Sequence, residues 1–540
     1  MGEAEERVVQ VCSGPGGSLA LACRVWAPAG GESAAAGRVV AWPGRLDNVG
    51  AFDALAPRLA ARGCLVVAVD PPGAGRSQHR SACDYYNDFD EALLLIEIAD
   101  VLWGPDSQFV AAGHAEGGAI AAVAAAAFPH RALALVVLES SLSLAGTDWA
   151  DGGLKGFEHL NAVYRADRER RSAAPLAIAD LDGEAAAAVL AAPAAQDTAR
   201  ALLSRQFREA DGHLLRTIDT RLQPLPAIRP QCVLADEATV LALMRSVECP
   251  TLVLHSTSFS TRLQALGATD EWLGAVEARL EALEEGVEDF SRPEPKLDGR
   301  GHYFLSDASE ATTEVIAPWL EGVLSAEAEP AADPPQGPPR MGPPARGSEE
   351  ADAKEQERVA EAKRAFEAAG GAEAQGRSSA IDVVAYGGAF RVAARHWPAA
   401  KGAPSLGRLL CYSGWLDNTG SFVTLAPLLS AAGFDVIAID APGAGLSAHL
   451  PPEAWYRTEH EAVMVMEAAD ALGWTEDSGK FSLLAHSRGT SVCQITACAF
   501  PERIARVVLV ESRLGYMFGE PAQAAATMRN VSRRGTFAEF

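Results

Sequence analysis

Residues Gly37–Ser77 recur without a gap as Gly407–Ser447, and 22 of the 41 positions are identical. Agreement of that length means the chain folds as at least two units of one kind. The spacing of 370 residues excludes a solenoid, whose repeats run at about 20–50 residues, and indicates repeated domains. Both copies hold G-x-L-D-N (Gly44 to Asn48, Gly414 to Asn418) and D-x-P-G-A-G-x-S (Asp70 to Ser77, Asp440 to Ser447). A second block, Phe128-Pro129-His130-Arg131 through Glu139-Ser140, returns as Phe500-Pro501-Glu502-Arg503 through Glu511-Ser512.

Within each copy, short aliphatic runs alternate with amphipathic stretches. In the first, Val39-Val40, Cys64–Asp70, Phe109–Ala112 and Leu133–Glu139 read as buried strands, and Ala51–Arg62, Glu91–Trp103 and Gly117–Phe128 as helices. Strands separated by single helices build βαβ units, hence a mostly parallel sheet covered on both faces. The expected fold class is α/β, with two such units. The first spans 1–324, with a helical lid at about 141–247, strands again at Pro250–His255 and near Pro295–Leu297, and a closing helix over Ala308–Leu324. Residues 325–380 form a linker, Pro- and Ala-rich over Ser325–Arg346, then a charged helix over Ala351–Ala369. The second unit, 381–540, runs 29 residues past Glu511, whereas the first takes 163 to pass from Glu139 to His302. A partial second sheet is therefore expected, with its apolar surface exposed or docked on the first unit.

Charge and composition narrow the partners. A formal net charge of −25 excludes nucleic acid or an anionic membrane as the main partner, because phosphate binding needs clustered Lys and Arg. No basic run followed by an apolar stretch opens the chain, so no secretory leader is expected. The nine cysteines include no C-x-x-C pair and fit reduced thiols in a cytoplasmic setting. Cys493 and Cys498 read as packing residues, and neither a metal nor a cofactor is expected.

The chemistry lies at one turn. Ala485-His486-Ser487-Arg488-Gly489 has the form of a nucleophile elbow, in which a sharp strand-to-helix bend lifts a serine hydroxyl out of the sheet. The matching turn of the first copy, Gly113-His114-Ala115-Glu116-Gly117, keeps the small flanking residues and lacks the oxygen. With G-W-x-D-N and D-x-x-G-x-G-x-S upstream, these motifs resemble the α/β-hydrolase superfamily, and within it the serine hydrolase-like proteins. The resemblance covers nearly all of the first copy and the N-terminal half of the second. It implies Ser487 as nucleophile and the backbone N–H groups of Trp415 and Arg488 as an oxyanion hole, with Ala115 a degenerate nucleophile position.

The same resemblance implies a histidine and an acid. Gly299-Arg300-Gly301-His302-Tyr303 looks like the family's histidine loop, which makes His302 the expected base of the first copy. Glu139 and Glu511, at the end of strand six, are either the triad acids or ordinary strand-end residues. Ala115, Glu139 and His302 are expected to converge beneath the lid, and Glu116 to oppose negative charge if it faces the pocket. The reading that follows is a serine hydrolase-like protein acting on a small-molecule ester or thioester, with a retired first copy. The second copy carries a nucleophile and no histidine at the family's position. The alternative is a non-catalytic protein that binds a small apolar ligand. Neither reading calls for nucleic acid or membrane, and an intramolecular contact between the copies fits both.

Overall fold

The computed structural model describes residues 4–12, 18–81, 86–144, 177–178, 202–210, 213–216, 237–265, 268–293, 302–326, 377–383, 390–415, 417–451, 454 and 456–511. Most of the expected lid, the linker with its charged helix, the strand near Pro295–Leu297, the Gly299–Gly301 loop and everything beyond Glu511 lie outside these residues.

The first unit is built on an eight-stranded sheet. Its strands are β1 (Glu5–Cys12), β2 (Ser18–Trp26), β3 (Gly37–Trp42), β4 (Cys64–Val69), β5 (Phe109–His114) and β6 (Ala132–Leu138). A small separate sheet follows, β7 (Ala177–Ile178), β8 (Phe207–Ala210) and β9 (His213–Arg216). The main sheet then resumes with β10 (Thr251–Leu254) and β11 (Phe290–Ser291), in the order β1-β2-β4-β3-β5-β6-β10-β11. From β4 to β11 every pairing is parallel; β1 and β2 run antiparallel at one edge. Helices α1 (Ala56–Ala61), α2 (Asp88–Trp103) and α3 (Glu116–Ala127) cross between parallel strands, as β-branched runs with intervening helical periodicity require. Helices α4 (Glu237–Arg245), α5 (Phe259–Ala265), α6 (Asp270–Gly286), α7 (Phe304–Asp307) and α8 (Ser309–Ala326) complete the unit. Two apolar layers fill it, one holding Leu95, Ile98 and Val123, the other Leu55, Leu305 and Leu320. Burying a side chain of this size stabilises the fold by about 1.5–3 kcal/mol.

The second unit repeats the order over six strands. These are β12 (Arg377–Val383), β13 (Phe390–Trp397), β14 (Gly407–Tyr412), β15 (Phe434–Ile439), β16 (Phe481–His486) and β17 (Ile504–Val510), arranged β12-β13-β15-β14-β16-β17. Helices α9 (Leu425–Ala432), α10 (Thr458–Ala471) and α11 (Gly489–Ala499) connect them. Cys493 is buried in the core of this unit, whereas Cys498 is exposed.

The structure adds elements to the expected fold and moves one boundary. The antiparallel hairpin at the start of each sheet, β1-β2 and β12-β13, was not foreseen, and it carries the second sheet back to Arg377. The helix expected over Ala51–Arg62 starts at Ala56, because Val49–Phe52 winds as a 3₁₀ turn capped by the Asn48 side chain. An edge strand after β10 is described at Phe290–Ser291, and the one expected near Pro295–Leu297 lies outside the described residues. None of the described helices is long and apolar enough to cross a membrane.

Candidate active site

The two elbows share one backbone. Ala115 has φ 52° and Ser487 φ 51°, the left-handed region that L-residues enter at a cost of roughly 1–2 kcal/mol. Each turn is held by its own N–H, from Ala115 to the Leu138 carbonyl at 2.8 Å and from Ser487 to the Val510 carbonyl at 3.0 Å. The closing glycines are obligatory: a Cβ on Gly117 would lie 2.2 Å from the Trp42 carbonyl oxygen, and one on Gly489 2.4 Å from that of Ser413. The loops facing the elbow also approach it, at a longer distance. A Cβ on Gly44 would stand 3.1 Å from the Ala115 Cβ, and one on Gly414 3.1 Å from the Ser487 Cβ. At the apex the turns differ by the hydroxyl, and beside it by Glu116 in place of Arg488 and Gly113 in place of Ala485.

Around Ser487 the structure brings several groups together. Gly414, Trp415 and Arg488 line a cavity of about 460 Å³ together with residues that include Pro442, Leu450, Ala454 and Tyr456. Trp415 and Arg488, the expected oxyanion donors, therefore flank one space. The Arg488 guanidinium lies 5.0 Å from the centre of the Trp415 ring and grips the Glu461 carboxylate with two hydrogen bonds, 2.8 and 2.5 Å. Glu461, buried on α10, also accepts from the Tyr412 hydroxyl at 2.7 Å. Burial, then the Glu461 charge, pushes the Tyr412 phenol well above its ordinary range, so it stays a donor. Among the described residues nothing hydrogen-bonds the Ser487 hydroxyl. His486 points elsewhere, its Nδ1 3.9 Å from Asp417. Glu511 occupies a left-handed position, φ 54°, and is exposed.

In the first unit the expected residues gather about the elbow but bond differently. The His302 ring lies 4.5 Å from that of His114, the residue before Ala115, and the His302 carbonyl is 2.9 Å from His114 Nε2. Burial, then His114, holds the His302 imidazole well below its usual range, so it is neutral at pH 7. Glu139 mirrors Glu511 with φ 50°. Its carboxylate accepts from the Ser256 N–H at 2.7 Å and the Ser256 hydroxyl at 2.8 Å, with Arg262 at 3.4 Å. Those bonds anchor it to the loop after β10, and among the described residues none reaches His302. Burial nonetheless raises its pKa. Segment 202–206 covers this side: the Leu202 carbonyl accepts from Asn48, and Arg205 binds Asp70 at 2.6 Å.

Glu116 stands where the second unit has Arg488, and Glu91 where it has Glu461. Burial, then Asp88 and Glu116, lifts the Glu91 carboxyl to about 8, and the Trp42 indole donates to it at 3.0 Å. An ion pair in one unit thus corresponds to two acids in the other. These partners, like Arg205, were missed at the sequence level.

The two long motifs have scaffolding roles. Asp70 accepts from the Val49 and Arg76 N–H groups, each at 2.8 Å, and Asp440 from those of Thr419 and Leu446 at 2.7 and 2.8 Å. One carboxylate therefore ties the G-x-L-D-N loop to the glycine turn. Gly75 and Gly445, both at φ 53°, are required there because a Cβ would fall 2.3 and 2.1 Å from those carboxylates.

The family model for the alpha/beta hydrolase fold matches residues 37–226 and 407–533, more than half of the chain, and the chain belongs to that family. It is similar to a serine hydrolase-like protein of Danio rerio, 37% identical over 127 residues, 23% of this chain and 37% of the relative. A serine hydrolase-like protein of Homo sapiens is 36% identical over 123 residues, 23% of this chain and 56% of the relative. The match thus spans less than two thirds of either relative. Among solved structures, a hypothetical protein from Pseudomonas aeruginosa PAO1 aligns over 59% of this chain and 100% of its own, at 24% identity and a TM-score of 0.47.

Proposed function

We propose that the second unit is a serine hydrolase-type site for a small-molecule ester or thioester, and that the first is a tandem copy that has lost the reaction. The observation that carries this is the pair of matching left-handed elbows, one with a hydroxyl and one with a methyl group. In the proposed reaction, the Ser487 oxygen bonds to the substrate carbonyl carbon and the alcohol or thiol leaves with a proton. Water then releases the acid from the acyl-enzyme. Charge developing on the carbonyl oxygen faces the N–H groups of Arg488 and Trp415, each such donor contributing about 2.7–4 kcal/mol in comparable sites. With no described group bonded to the Ser487 hydroxyl to take its proton, the reading predicts slow turnover.

The test is hydrolysis of short p-nitrophenyl esters by the full chain. Weak activity is expected, lost in Ser487→Ala and retained in Ala115→Gly. Turnover that survives Ser487→Ala would place the chemistry elsewhere.

A further inference from the structure

We infer that the cavity beside Ser487 is shaped for an uncharged, apolar acyl group with a hydrogen-bond acceptor at its far end, and that His449 reads that acceptor. This rests on the proposed reaction for its orientation and names the class of substrate that the same site would take.

The charged groups of the cavity cancel one another. Arg488 spends two N–H groups on Glu461 and a face on Trp415. An anionic substrate would have to compete with a buried carboxylate already in place. Apart from this pair, His449 and the Tyr456 hydroxyl, the side chains of the wall are apolar, with Leu450 and Ala454 buried and Trp415 half exposed along it. Its volume, about 460 Å³, is that of a small-molecule site.

One polar group remains to be matched. The Tyr456 hydroxyl accepts the Leu450 N–H at 3.0 Å and lies 3.3 Å from His449 Nδ1. A phenol has one proton to give, and the backbone N–H can only donate. We assign the phenol proton to Nδ1, the tautomer that gives the oxygen one donated and one accepted bond, so that His449, exposed where it lines the cavity, carries Nε2–H as a donor. Gly443 makes this possible, since a Cβ there would meet the Tyr456 oxygen at 2.8 Å.

The first unit provides the contrast. At the position of Leu450 it carries Arg80, which is buried, with its guanidinium 6.0 Å from the Tyr86 ring centre and 3.9 Å from Asp90. The same loop thus holds a long cation in one copy and apolar space in the other.

The experiment measures ligand binding to the full-length Ser487→Ala chain by calorimetry at pH 8, where imidazoles are neutral. Three esters are compared: methyl 6-methoxyhexanoate, methyl octanoate and the monoanion of monomethyl suberate. Expected results are tenfold or weaker binding of the anion than of the methoxy ester, and loss of all binding in Leu450→Arg. His449→Leu should lower the preference for the methoxy ester over methyl octanoate several-fold, the yield of one neutral hydrogen bond. A His449→Gln variant, which keeps a donor, should retain part of that preference, and circular dichroism of each variant separates a lost donor from a lost fold. Tighter binding of the anion, or a preference that His449→Leu leaves unmoved, overturns the inference. Because binding is read without turnover, it can fail while Ser487 proves reactive, or hold while the hydrolase reading fails.

Discussion

Glu91 and Glu461 occupy corresponding places beneath the two elbows and live in opposite electrostatic settings. Glu461 is paired with the Arg488 guanidinium, whereas Glu91 faces Asp88 and Glu116 and holds its proton up to about 8, from an ordinary value of 4.5. The sign follows from linkage. Below 4.5 the residue is protonated in the folded and unfolded chain alike; between 4.5 and about 8 only the folded chain keeps the proton. Stability of the first unit therefore falls as pH rises through that window and levels off above it. Glu91→Gln, which still accepts from Trp42, should flatten the decline in a denaturant series from pH 5 to 9, and Glu116→Gln should end the decline at a lower pH. An unchanged slope in Glu91→Gln would assign the pH dependence to other groups. In the second unit, Glu461→Ala leaves a partly buried guanidinium without its carboxylate and should cost about 1–3 kcal/mol, against which Glu461→Gln recovers part. The exchange of Glu116 for Arg488 is visible in the aligned sequences. Their partners are not, because they sit on a preceding helix that only the fold brings under the turn.

At the scale of elements, β6 and β17 align residue for residue and differ in what covers them. Val136 is 2% exposed between β5 and β10, while Val508, on an edge strand, is 49% exposed. Val136→Ala should therefore destabilise by about 2 kcal/mol and Val508→Ala by no more than about 0.5, measured by urea denaturation. Equal losses would mean that β17 is covered in solution. The parallel strands and crossover helices were legible in the sequence, since a buried strand is a short aliphatic run and its helix follows at once. The hairpins β1-β2 and β12-β13 were harder to read, because edge strands alternate polar and apolar residues and Glu5, Glu6 and Arg7 look like a solvated tail. The Asp70–Arg205 bond was beyond reach altogether, joining residues 135 apart through the lid.

Across the whole molecule, the described residues include an ion pair joining the two units, from Arg457 just before α10 to Asp90 in the first turn of α2, with Arg80 3.9 Å from the same carboxylate. Arg457 follows Tyr456, which lines the Ser487 cavity, so this contact tethers the cavity's wall to the first unit. Asp90→Arg or Arg457→Asp alone should loosen the assembly and raise the radius of gyration by X-ray scattering, and the double exchange should restore it. No change in either single variant would show that the units are held by other contacts. The central claim, that the reactive hydroxyl belongs to the second elbow and the first is silent, is tested most directly by a fluorophosphonate probe. The full chain is labelled, digested and mapped by mass spectrometry. The account predicts at most one adduct per chain, on the peptide containing Ser487, absent from Ser487→Ala and unaffected by Ala115→Gly. An adduct that persists in Ser487→Ala, or maps to any peptide of the first unit, would contradict it.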